Sequence, residues 1–211
     1  MQTLVDTPVG VARVTRFEAV GAKALVVLGH GAGGGVEAAD LQALAAGLPG
    51  LGFAVALVEQ PWRVLGKKVA PAPKTLDAGW VPVVGELVAE GLPVVVGGRS
   101  AGARVACRTA VGTGAAAVLA LSFPLHPPGR PEKSRAEELT ESGRPTLVLQ
   151  GAADPFGTPE EYPELPAGHR LVAVPYGNHS FAVPKRAPYG PEEAMALITA
   201  TAAEWLGGLF G

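Results

Sequence analysis

The sequence predicts an α/β fold: a mainly parallel central sheet with helices on both faces, led by an antiparallel hairpin and carrying no large lid. Two observations carry that prediction. Compact, continuously apolar β-rich runs recur along the chain, the pattern of strands covered on both faces. Between most of them lie stretches whose apolar residues return at three- and four-residue steps, the period of a helix with one buried side. Alternation of the two implies strands joined by crossover helices.

Taken in order, the first 20 residues read as a short antiparallel pair, with Thr7-Pro8-Val9-Gly10 as the turn and Val11 to Phe17 as the return strand. Strands are then expected at Ala24 to Leu28, Ala54 to Val58, Pro93 to Val96, Ala116 to Leu121, Pro145 to Leu149 and Leu171 to Val174. Helical spacing appears in Leu41, Leu44 and Leu48, in Trp80, Val84, Leu87 and Val88, and in Leu197, Ile198, Thr201 and Trp205. The last helix has a start in Pro191, Glu192 and Glu193, and a stop in Gly207 and Gly208.

Composition sets the outer limits. The 211 residues include 29 Gly and 20 Pro, a combined load nearly twice the roughly 12% expected on average. Disorder is excluded all the same, because 48% of the residues are hydrophobic and only 17% charged. The glycines have no three-residue period, which excludes collagen. No repeat or low-complexity linker divides the chain, so one domain over residues 1–211 is expected. Seventeen basic and 19 acidic residues give a net charge of −2 without a basic block, which argues against nucleic acid or an anionic membrane as partner. The apolar runs are far too short to span a bilayer, and no secretion signal is legible. A soluble, cytoplasmic protein is the expectation. The single Cys107 allows no internal disulfide, in agreement with a reducing compartment. Asn178-His179-Ser180 matches a glycosylation sequon, read as coincidence.

In parallel sheets, function gathers in the loops that leave the carboxyl ends of strands, and two of these loops are rich in glycine. Gly29-His30-Gly31-Ala32-Gly33-Gly34 satisfies the dinucleotide-binding pattern Gly29-x-Gly31-x-x-Gly34, and Glu59 closes the next strand, where an acidic residue would bind a ribose. Against that reading, a loop so rich in glycine meets many templates, and here a hairpin precedes the strand. Gly98-Arg99-Ser100-Ala101-Gly102 also follows a strand and opens a helix carrying Val105, Ala106 and Val111. G-x-S-x-G in that context is a nucleophile elbow, whose glycines clear space for a sharp turn that lifts the serine hydroxyl above the sheet. A Gly/Ser-rich helix start is the plainer alternative.

A hydroxyl needs a base to take its proton, and the base needs a third group to hold its tautomer. Asp154 follows the strand Pro145 to Leu149, and His179 follows the strand Leu171 to Val174, on the same sheet edge as Ser100. Taken singly, Asp154 could be only a turn former and His179 only a surface residue. Three candidates at three strand ends point to nucleophilic catalysis with Ser100, His179 and Asp154. Asp6, Asp40 and Asp77 fall in the hairpin or in helical regions, His169 lies at the wrong edge, and His126 is the rival base. Acyl transfer also needs two oxyanion donors, assigned to the backbone N–H groups of Ala101 and Ala32, with Gly33 in reserve.

These segments carry a resemblance. The run Leu28 to Gly33, the elbow from Gly97 to Arg104, Phe123-Pro124-Leu125-His126-Pro127-Pro128-Gly129, and Gln150-Gly151 before Asp154 resemble the α/β-hydrolase superfamily over nearly the whole chain. More closely, they are similar to a group of small lidless bacterial hydrolase-like proteins. That group has animal relatives described as testis-expressed or chromatin-complex subunits, and is distantly related to dienelactone hydrolases. The resemblance implies a Ser-Asp-His apparatus at Ser100, Asp154 and His179; no metal or cofactor is expected. It implies no particular substrate. Ser100 stands where dienelactone hydrolases carry Cys.

Between the strands at Ala116 to Leu121 and Pro145 to Leu149 lie only the proline-rich Phe123 to Pro131 and a brief polar helix around Lys133 to Glu141. An open site for a small-molecule acyl substrate follows. Arg99, with Arg104, Arg63 and Lys67, is read as a substrate-binding charge at the rim, the alternative being surface salt bridges. Trp62 is either an acyl-pocket wall or a core aromatic; Cys107 is expected in the core. The chemistry expected is carboxylesterase-like. A catalytically silent fold used for protein interaction is the alternative from another class, and dinucleotide binding the third.

Overall fold

A computed structural model describes residues 1–211. Eight strands form one sheet: β1 (Gln2–Thr7), β2 (Gly10–Phe17), β3 (Ala24–Gly29), β4 (Phe53–Glu59), β5 (Val94–Arg99), β6 (Ala117–Leu121), β7 (Thr146–Gly151) and β8 (His169–Val174). Their order is β1-β2-β4-β3-β5-β6-β7-β8. β1 and β2 pair antiparallel through the predicted turn, where Thr7 Oγ1 donates to the Gly10 carbonyl at 2.6 Å. β2 is antiparallel to β4, and every later pairing is parallel.

Six helices cover the sheet: α1 (Ala39–Gly47), α2 (Pro61–Val64), α3 (Pro73–Val88), α4 (Ala101–Thr109), α5 (Ala136–Thr140) and α6 (Pro191–Phe210). Strand side chains alternate between faces, so Leu25, Val27, Val94 and Val96 pack with Trp80, Val83, Val84 and Val105 of α3 and α4. Val26, Leu28, Val55 and Leu57 pack with Leu41, Leu44, Ile198 and Leu206 of α1 and α6. After β3 the chain turns to β4 on one side, and β5 returns on the other. The crevice between the carboxyl ends of β3 and β5 is where the strand order reverses, the place such sheets hold ligands.

Three elements differ from the sequence reading. α6 runs through Gly207 and Gly208 to Phe210, because Leu206 before the glycine pair and Phe210 beyond it both pack on the core. α2, a single turn opened by Pro61, lacks the length to show a period. β5 continues past Val96 to Arg99. Gly97 and Gly98 lie so close to neighbouring strands that a Cβ on them would meet the Leu119 and Gly29 carbonyls, so their lack of a side chain is what lets the strand continue. The elbow therefore begins directly at Ser100.

Candidate active site

Ser100 occupies the single residue between β5 and α4, with φ 52° and ψ −113°, a conformation strained for a residue with a side chain. The turn is held from both sides: the Ser100 N–H donates to the Leu121 carbonyl at 2.9 Å, and its carbonyl accepts from Arg104 at 3.2 Å. The hydroxyl, half-buried, thus stands at the N-terminus of α4.

Asp154 lies in the loop after β7, 1% exposed. Its Oδ1 accepts from the Phe156 N–H at 2.8 Å, and its Oδ2 accepts from Gln150 Nε2 at 2.8 Å. Gln150, itself wholly buried, also donates to the Gly157 carbonyl at 2.8 Å, which closes the loop around the carboxylate. His179 comes from the loop after β8. That loop is fastened to the Asp154 loop by the Ala153 N–H, which donates to the Gly177 carbonyl at 2.9 Å. Phe181, 1% exposed, anchors it in the core.

These loops bring three side chains into one chain of hydrogen bonds. His179 Nδ1 lies 2.8 Å from Asp154 Oδ2, and His179 Nε2 lies 2.9 Å from Ser100 Oγ. A carboxylate can only accept, so Nδ1 carries the proton and Nε2 presents its lone pair to the serine hydroxyl. The Phe156 ring stacks on His179 at 4.1 Å between centroids and 28° between planes, which fixes the imidazole from its face.

The loop after β3 passes beside the elbow: a Cβ placed on Gly31 would lie 3.5 Å from Ser100 Cβ. It is held by His30, 3% exposed, whose Nε2 accepts from the Gln60 N–H at 3.1 Å while Nδ1 meets the Gly31 carbonyl at 2.9 Å. Burial lowers the His30 pKa from its ordinary 6.5, so the ring is held neutral. The N–H groups of Ala32, in this loop, and Ala101, the first residue of α4, donate to no other group of the chain.

Other expected residues fall elsewhere. Rival base His126 has its ring nitrogens at the Pro127 carbonyl, 2.9 Å, and Glu161, 3.1 Å, with no bond to Ser100. Arg99 does not stand free at the rim, since its Nε donates to Asp40 at 3.1 Å and its Nη2 to the His179 carbonyl at 2.7 Å. Arg104 is paired with Glu138 and Arg63 with Glu37. Trp62, 5% exposed, packs in the core beside His30 and walls a cavity of about 80 Å³ that Lys67 also lines. Cys107 is buried, and desolvation pushes its thiol up to about 12, which leaves it inert at neutral pH.

The dinucleotide reading loses both its parts. Nine residues separate Gly29 from the start of α1, so the glycines do not open a helix, and Glu59 is engaged with Arg13 at 2.6 Å. No group of three His, Cys, Asp or Glu side chains is placed to hold a metal ion. No helix is long and apolar enough to cross a membrane. A cleft of about 270 Å³ is bordered by Arg99 and Ser180, the chain neighbours of Ser100 and His179, and by Gly34, Gly35, Glu37 and Asp40. No cap covers it: β6 and β7 are joined only by the proline-rich segment and the one-turn α5.

A family model described as an alpha/beta hydrolase domain matches residues 22–207. The chain belongs to the α/β-hydrolase family. Among solved structures, this α/β hydrolase is similar to an alpha-beta serine hydrolase homologue from Coxiella burnetii, with TM-score 0.75 at 17% identity, covering 95% of this chain and 96% of that one. An α/β serine hydrolase without a lid from Xanthomonas campestris has TM-score 0.75 at 18% identity, covering 97% and 94%. A dienelactone hydrolase from Anabaena variabilis has TM-score 0.75 at 20% identity, covering 99% and 96%. At these identities the likeness is one of fold.

Sequence reasoning missed three residues of the site. Gln150 was in view as part of Gln150-Gly151, but a lone Gln at a strand end carries no signal of what it faces. Phe156, two residues past Asp154, was hidden among loop prolines. Asp40 lies on α1, as its helical surroundings indicate, yet its partner is Arg99, 59 residues away.

Proposed function

We propose that the protein is a serine hydrolase of the carboxylesterase type that cleaves a small acyl ester or thioester through an acyl-Ser100 intermediate. The observation that carries this reading is the unbroken chain from Ser100 Oγ to His179 Nε2, 2.9 Å, and from His179 Nδ1 to Asp154, 2.8 Å. Ser100 attacks the acyl carbonyl as His179 takes its proton. Asp154 keeps the ring in the required tautomer and stabilises the imidazolium. The resulting oxyanion is received by the N–H groups of Ala32 and Ala101, the second at a helix N-terminus whose dipole favours negative charge. His179 returns the proton to the leaving group, the alcohol or thiol departs, and water activated by the same imidazole releases the acid from Ser100.

The absence of a cap favours small or protruding acyl groups over long chains that would need a covered tunnel. Trp62 would then border the acyl side only across His30, and Arg99 would act next to the site through its partners. The working unit of this proposal is a single domain, residues 1–211, acting in the cytoplasm on a small molecule. A net charge of −2 and one unpaired, buried Cys107 agree with that setting.

The test is steady-state hydrolysis of p-nitrophenyl esters of increasing chain length. The proposal expects turnover of acetate and butyrate esters, a decline toward octanoate, and none by Ser100→Ala. A wild-type rate no higher than that of Ser100→Ala would contradict it.

A further inference from the structure

Arg99 is the last residue of β5, directly before Ser100. It reaches two segments at once. Nε donates to Asp40 Oδ2 at 3.1 Å, and Asp40 is the second residue of α1, directly after the loop that carries Ala32. Nη2 donates to the backbone carbonyl of His179 at 2.7 Å. No other donor of the chain reaches that carbonyl, whereas the Asn178 carbonyl just before it accepts from the Phe181 N–H within the loop. The pair is largely out of water: the side chain of Arg99 is 13% exposed and that of Asp40 2%.

A buried ion pair of this kind is poor evidence for stability, because desolvation offsets the attraction; its best-attested use is to fix one arrangement among several. Here the arrangement is specific. A planar guanidinium presents its donors in a rigid fork, so a carboxylate that holds Nε also fixes where Nη2 points. We propose that Arg99 is a positioning residue: held by buried Asp40, it fixes the backbone of His179 and thereby sets the imidazole between Ser100 and Asp154. One guanidinium then couples the elbow, the Ala32 loop through α1, and the His179 loop. The role rests on the serine-hydrolase reading for its effect on rate, but not for its effect on His179 itself.

The experiment uses the full chain with Arg99→Gln, Arg99→Lys and the double variant Arg99→Met/Asp40→Leu, which replaces the pair with apolar side chains and so leaves no lone buried charge. Two readouts are taken. The first is p-nitrophenyl acetate hydrolysis, where displacement of about 1 Å in a catalytic group costs about 10²-fold. Arg99→Gln is expected to lose about 10²-fold in kcat with KM within about twofold. Arg99→Lys recovers little of it, since an ammonium cannot hold both partners in fixed directions. The double variant recovers thermal stability without recovering kcat. Recovery of both would overturn the proposal, as would a folded Arg99→Gln with kcat within about twofold of wild type. The second readout, the long-range 1H–15N correlations of the His179 ring, needs no substrate. The wild type is expected to hold one tautomer with Nδ1 protonated, and folded Arg99→Gln to show averaging over both. An unchanged tautomer in Arg99→Gln overturns the positioning role. Absence of wild-type turnover instead counts against the hydrolase reading, with the ring correlations still deciding the role of Arg99.

Discussion

Gly102 packs against Gly29 so closely that a Cβ on it would lie 2.5 Å from the Gly29 carbonyl oxygen. The α4 helix therefore crosses the end of β3 with no room for a side chain, and this contact holds Ser100 beside the Ala32 loop. Gly33, in that same loop, has nothing within 4 Å of its Cβ position. Substitution separates the two. Gly102→Ala is expected to lose about 1–3 kcal/mol through overpacking, and Gly33→Ala to stay within about 0.5 kcal/mol. Urea unfolding of both variants checks the contrast.

Gly208 lies exposed inside α6, with open space at its Cβ position. Glycine in a helix interior costs about 1 kcal/mol relative to alanine. Gly208→Ala should therefore stabilise the fold by close to that amount, raising the thermal midpoint by about 2–4 °C. A fall in the midpoint would mean that the helix ends before this residue.

His30 makes stability depend on pH. Its pKa in the fold is lowered, first by burial, from an ordinary 6.5. The unfolded chain then binds a proton that the folded chain refuses. The stabilising contribution of neutral His30 is complete above about pH 6.5 and is lost as pH falls toward the folded value, at up to about 1.4 kcal/mol per pH unit. Between pH 7.5 and pH 5, wild type should lose more stability than His30→Asn. Parallel losses in thermal scans would contradict the buried, neutral ring.

Asp154→Asn is expected to reduce kcat about 10⁴-fold with the fold intact, by analogy with the serine-protease triad. The Phe156 N–H requires an acceptor at Oδ1, so the amide nitrogen must take the place of Oδ2. There it would donate to His179 Nδ1, reversing the tautomer, and would face the Gln150 Nε2 donor. Ester hydrolysis by the purified variant, with circular dichroism as the control for folding, measures the loss.

Strand order aside, most of this architecture was readable because continuous apolar runs such as Leu25 to Leu28 have few ways to be buried other than inside a sheet. Ser100 was readable because the elbow needs glycine at fixed offsets. Asp154 and His179 followed from their places at strand ends. Arg99 was visible only as a charge: its engagement with Asp40 and the His179 carbonyl depends on how α1 and the β8–α6 loop meet in space, which no local spacing encodes. The long α6 was misjudged at its end for a related reason, since Leu206 and Phe210 packing on the core outweighs the local cost of Gly207 and Gly208.

In this mechanism Ser100 is a nucleophile activated by His179. Intact-mass measurement after treatment with a fluorophosphonate tests it most directly. One phosphonyl adduct per wild-type chain is expected, mapped to Ser100, with none on Ser100→Ala and a much slower reaction for His179→Ala. A folded wild-type chain that takes no adduct, or a Ser100→Ala chain that takes it equally, would contradict the claim.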